Sequence, residues 1–162
     1  MRVLRCALLL ASLAVAALLL MPERADARIF LNKGVTGAHI GMTKARVKAK
    51  LGAPKKIKRR VSDFGPLVEY RYGRLKVVFA DGGRRVTWLA TTRKRERTGK
   101  GIGVGSTRAD VEILVPGVVC ANLGTVGTCN VGDADTPGSR VTTFWLNDND
   151  LVSRVQIYVV FE

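Results

Sequence analysis

Few residues in this chain have the types and spacing to do chemistry. His39 is its one histidine among 162 residues. A histidine base needs a nucleophile or a carboxylate beside it. No Ser, Cys or carboxylate pattern points to His39, and its place just before a helix start reads as a surface or cap position. The segment Gly99-Lys100-Gly101-Ile102-Gly103-Val104-Gly105-Ser106-Thr107 invites a phosphate-loop reading. Its lysine precedes the glycines and no glycine falls at the third required spacing, so it fits neither G-x4-G-K-[ST] nor G-x-G-x2-G. It reads as a linker running into a helix, with a weak anion nest as its residual chemistry. Asp133 and Asp135, then Asp148 and Asp150, resemble fragments of calcium loops but lack the glycine and distal glutamate of an EF-hand, and so read as turn residues. Glu69 between Val68 and Tyr70, and Asp63 in a loop, make no paired-carboxylate site. The expectation is a non-enzymatic chain without cofactor or metal.

Cationic residues are the more abundant resource. The chain holds 27 Lys and Arg against 13 Asp and Glu, a net charge of +14. Its 47% hydrophobic content excludes a disordered polycation, because so large an apolar fraction can bury a core. The charge is concentrated in the first half: residues 28–100 carry 21 basic and 4 acidic side chains, a net +17, whereas residues 101–162 carry 3 and 7, a net −4. Lys44, Arg46, Lys48 and Lys50 ride a helix, Lys55, Lys56, Lys58, Arg59 and Arg60 follow it, and Arg93, Lys94, Arg95 and Arg97 follow a strand. A candidate binding patch therefore comprises Lys44, Lys48, Lys55, Lys56, Lys58, Arg59, Arg60, Arg93, Lys94 and Arg95. Such a patch would raise association rates with an acidic protein or an anionic cell-envelope polymer. Aromatic interleaving is sparse (Phe64, Tyr70 and Tyr72), which argues against a base-stacking or sequence-specific nucleic-acid platform.

The elements that must position these residues begin after a signal peptide. Arg2 and Arg5 form a positive start, Ala7 to Met21 is apolar, and Ala25-Asp26-Ala27 supplies a cleavage site, so residues 1–27 are expected to leave on secretion. The apolar run is too short for a spanning helix, and no membrane span is expected in the mature chain. It would be extracellular or periplasmic. Cys6 leaves with the signal, and Cys120 and Cys129 remain as a pair across a hairpin-like connection, the expected disulfide.

Within the mature chain a short motif occurs twice. Ile40-Gly41-Met42-Thr43-Lys44-Ala45-Arg46-Val47 aligns with Val104-Gly105-Ser106-Thr107-Arg108-Ala109-Asp110-Val111. Thr43 and Thr107 are the expected helix caps, with Asp110 extending the second to a capping box. Helices are expected over 44–51 and 108–115. Strands are expected over 67–72, 74–80 and 85–91, then 117–121, 125–131, 140–146 and 151–161. The resulting expectation is an α+β fold of two tandem helix-plus-antiparallel-meander repeats packed as one unit: a basic repeat over 28–100 and an acidic, disulfide-bearing repeat over 101–162.

Gly41-Met42-Thr43-x3-Val47-x3-Leu51-Gly52-x-Pro54 resembles the G-M-[ST]-x3-V-x3-L-G-x-P signature of the SmpA/OmlA (BamE-like) domain family. The tandem arrangement is similar to that of beta-lactamase inhibitor protein (BLIP-like) scaffolds. The second copy departs from the signature, with Ser106 for Met and Pro116-Gly117 for Leu-Gly. The resemblance implies a scaffold for protein–protein contact rather than catalysis. The expected function is thus a secreted protein-binding module, with adhesion of a basic surface to a cell-envelope polyanion as the alternative.

Overall fold

Two local instructions start the helices. In α1 (Lys44–Leu51) the Thr43 hydroxyl accepts a hydrogen bond from the Arg46 N–H at 3.4 Å, and Gly52, at φ 77°, closes the last turn onto the Lys48 carbonyl. In α2 (Arg108–Leu114) Thr107 and Asp110 form a reciprocal capping box, at 3.1 and 3.2 Å. Each helix is two turns long and fully buries one side chain, Val47 or Val111. Helices this short are not stable alone, so the strands must supply the core.

The computed structural model describes residues 28–63, 65–80, 82–124 and 126–161. The expected signal peptide, with Cys6, and also Phe64 and Asp81 lie outside the described residues. Strands β1 (Ile29–Phe30), β2 (Gly34–Val35) and β3 (Ala38–His39) form a small three-stranded sheet. The large sheet contains β4 (Lys56–Ser62), β5 (Gly65–Tyr72), β6 (Leu75–Ala80) and β7 (Arg85–Thr91). It continues with β8 (Val118–Leu123), β9 (Val126–Val131), β10 (Arg140–Leu146) and β11 (Val152–Val159). All eight pair antiparallel in the order β4-β5-β6-β7-β11-β10-β9-β8.

Period-two alternation gives this sheet an inner and an outer face. On the inner face Leu75, Thr91, Val155, Phe144 and Cys129 stand in register across five strands, and Val77, Leu89, Ile157, Thr142 and Val131 form the next row. Most of these side chains have no exposure at all. Val47 and Val111 cover them from the helices, Val35 and Ala38 from the small sheet, and Ile102 and Val104 from the segment that joins β7 to α2. The small sheet is tied down by the Ile29 N–H on the Arg97 carbonyl at 2.8 Å and by the Asn32 N–H on the Thr142 hydroxyl at 2.6 Å.

The expected α+β fold of two helix-plus-meander repeats is therefore corrected. The protein is mostly β, with one continuous eight-stranded sheet, a three-stranded sheet and two short helices. The capping motifs are strong local signals and give the helices more weight than their two turns merit. β7 and β11, read as ends of separate meanders, would each leave a row of unpaired backbone groups. They pair with each other instead, Leu89 opposite Ile157. β4 was expected only as a run of cations, which hides its alternation. The strands β1–β3 have two residues each and carry no periodicity to read.

The disulfide forms as expected. Cys120 and Cys129 are directly opposite in the β8–β9 ladder, with a Cα–Cα distance of 3.9 Å.

Candidate binding surface

The helices, the small sheet and the segment that joins β7 to α2 place their core residues against the inner face of the large sheet. The register identifies what the outer face presents. Lys56, Lys58 and Arg60 lie on it from β4, Leu67, Glu69 and Arg71 from β5, and Lys76 and Val78 from β6. Trp88 stands beside Val78 and Tyr158, and Trp145 beside Arg154. The chain has two tryptophans, and both are here. Ala90 and Thr143, small and buried, floor the surface, while Trp88, Trp145 and Tyr158 stand half-buried around them. Gln156 stands between Ala90 and Thr143 in the register.

The aromatic groups are held in place. The Trp145 indole N–H donates to Gln156 Oε1 at 2.8 Å, and the Arg154 guanidinium lies 4.5 Å above its ring. Trp88 borders a cavity of about 330 Å³ lined by Leu67, Val78, Ala80 and Phe161, with Glu69 at its edge. Next to it, a recess of about 90 Å³ is lined by Lys58, Arg60, Leu67, Glu69 and Val78. Glu69 organises this basic end. It pairs with Arg71 and, at 3.4 Å, with Arg60. Burial by itself would raise the Glu69 carboxyl. The hydrogen bond from Arg71 and the charges of Arg71, Arg60 and Lys76 outweigh that and hold it below the usual carboxylate value.

The candidate basic patch does not form one surface. Lys56, Lys58 and Arg60 share the outer face, whereas Arg59 points to the inner side, opposite Val68. Lys55 is exposed just before β4, its N–H on the Arg71 carbonyl at 2.8 Å. Lys44 and Lys48 lie over the inner face, their ammonium groups 5.9 and 5.5 Å from the rings of Phe79 and Tyr70. Lys94 and Arg95 are exposed at a turn. Arg93 is consumed internally, donating to the Tyr72 carbonyl at 2.5 Å and to Glu96 at 3.0 Å, where the Glu96 side chain is 1% exposed. Of the ten residues, Lys58 and Arg60 line the small recess beside the Trp88 cavity.

The catalytic candidates are likewise engaged. His39 sits on β3 with its ring 5.4 Å from Phe30, edge to face. Burial, then the charge of Lys33, lowers its pKa. The glycine-rich segment is occupied by its own chain. Arg97 donates to the carbonyls of Lys94, Gly101 and Val104 and to the Ser106 hydroxyl. The N–H groups of Ile102, Gly103 and Gly105 bond Thr98, Ser106 and Val152. A Cβ at Gly103 would strike the Glu96 carbonyl, so only glycine permits this closure. Asp133 accepts from Asp135 N, Thr136 N and the Thr136 hydroxyl, a turn cap as expected. Among the described residues no cluster of three His, Cys, Asp or Glu could hold a metal ion, and no helix is long and apolar enough to cross a membrane.

Trp88, Trp145 and Tyr158 were not anticipated as a group. Alternation within each strand was visible, but their convergence depends on β7 pairing with β11, which joins residues far apart in sequence.

No family model matches the chain, and no curated protein does. Among solved structures the chain is similar to an extracellular protein containing a SCP domain from Bacillus anthracis str. Ames, with a TM-score of 0.51 and 13% identity. The match covers 74% of this chain and 44% of that one, so it spans less than half of the neighbour's length. A likeness at that identity concerns the fold alone.

Proposed function

We propose that the chain is a secreted, non-enzymatic protein-binding module that docks its partner through the outer face of the eight-stranded sheet. The observation that carries this reading is the outer face of the sheet, on which Trp88, Trp145 and Tyr158 stand half-buried beside small residues. Half-buried aromatic and arginine side chains around a small-residue floor are what protein interfaces use as anchors. The Cys120–Cys129 disulfide supports a compartment outside the cytosol.

The test starts from affinity capture with the native chain, followed by reconstitution of the captured protein with purified components. The double variant Trp88→Ala/Tyr158→Ala should weaken that complex at least about tenfold, a typical loss for anchor residues. Arg46→Ala/Lys50→Ala, on the opposite side, should leave it unchanged. Equal losses from both variants would refute the assignment of the face. The alternative, adhesion to a cell-envelope polyanion, rests on Lys56, Lys58 and Arg60. It would show as binding that is lost between low and moderate salt and is insensitive to the aromatic variants.

A further inference from the structure

We propose that β4 is a receptive edge which takes up an extended acidic segment of the partner as a ninth strand. The inference rests on the protein-binding reading and names the chemistry of the partner. β4 pairs with β5 along its whole length, Lys56 opposite Arg71 through Ser62 opposite Gly65, and it is the last strand on its side of the sheet. In an antiparallel pair alternate residues turn their N–H and C=O toward the neighbour. The other half of the β4 backbone groups therefore faces outward, and no strand meets them among the described residues.

The side chains say what could meet them. Four of the seven residues of β4 are cationic. On the outer face Lys56, Lys58 and Arg60 stand in a row, and the ion pairs of Glu69 with Arg60 and Arg71 do not include Lys56 or Lys58. On the inner side Ile57 and Val61, 41% and 86% exposed, flank Arg59. A lysine-rich edge repels a second copy of itself, because like charges directly opposite are destabilising. The same charges attract a strand with acidic side chains at alternate positions. The device that blocks self-pairing thus selects its complement, a segment alternating acidic residues toward the outer face with apolar residues toward Ile57 and Val61. The opposite edge, β8, has no charged residue and offers no such selection. Strand addition of this kind draws affinity from main-chain hydrogen bonds and specificity from alternate side chains.

The experiment uses the secreted chain with its disulfide intact and a fluorescent seven-residue peptide of alternating Glu and Val, matched to the length of β4. Anisotropy should show it binding at least about tenfold more tightly than a block peptide of the same composition. Backbone N-methylation at one set of alternate residues should abolish binding, and N-methylation at the other set should change it less than about twofold. Lys56→Glu/Lys58→Glu, with an unchanged circular dichroism spectrum, should weaken binding at least about tenfold. No binding by the alternating peptide would overturn the proposal. So would block and alternating peptides that bind equally, or two N-methylated sets that behave alike, since a polyanion surface ignores backbone hydrogen bonds. The N-methyl comparison uses the unaltered chain, so it decides the matter even if the charge-reversal variant fails to fold. A protein partner that buries the tryptophans while the peptides fail would refute this proposal and leave the docking face standing.

Discussion

Charged side chains of one type serve different ends in this protein, and their surroundings decide which. Arg93 and Arg97 are spent on carbonyls and on Glu96 inside the chain, while Lys56 and Lys58 remain on the surface. Sequence alone shows a cation at each place and not whether a loop has closed around it. That is why Arg93 was grouped with a binding patch and Arg97 was not recognised as the clasp of the glycine-rich segment. The caps at Thr43 and Thr107 were legible because their partners are three residues away. Glu69 gives a testable pH effect. Its carboxyl pKa is lowered in the folded chain, so its contribution is present above the ordinary glutamate value and is lost as the pH falls through the folded one. Urea unfolding from about pH 7 to about pH 3 should show Glu69→Gln less stable than the native chain at the upper end and converging with it at the lower. A constant difference across that range would contradict the assignment.

Strands were legible wherever alternation met a turn signal: 85–91 and 140–146 are expected and observed with the same bounds. β4 was not, because cations on both faces erase the contrast between its sides. β9 illustrates what a covalent tie adds at a sheet margin. The β8–β9 hairpin lies at the end of the sheet, where β8 has a strand on one side only, and its bridge closes a short loop. Reduction should cost about 2.7 kcal/mol on the chain-entropy estimate, read as a drop in the urea midpoint in the presence of reductant. The capping box of α2 should contribute about 1 kcal/mol, measured with Thr107→Ala. Mass spectrometry of the non-reduced secreted protein showing two free thiols would remove the first expectation.

The large sheet is strongly basic at its β4 end and continues through β7 and β11 into the acidic half. Two meanders could be read from local patterns, but their fusion could not, because no local residue records which distant strand will complete a ladder. Continuity has a consequence for stability. Ile157, fully buried opposite Leu89, lies at the junction, and Ile157→Ala should cost about 3 kcal/mol within a single unfolding transition. Two separated transitions would mean that the halves fold independently. Continuity also creates the outer face on which the functional reading depends, with both tryptophans on it, so the native chain carries its own probe. The decisive measurement is acrylamide quenching of tryptophan fluorescence, with the chain free and then saturated with its reconstituted protein partner. Binding through the outer face predicts that saturation shields Trp88 and Trp145 and lowers the quenching constant; a saturated complex that quenches like the free chain would contradict it.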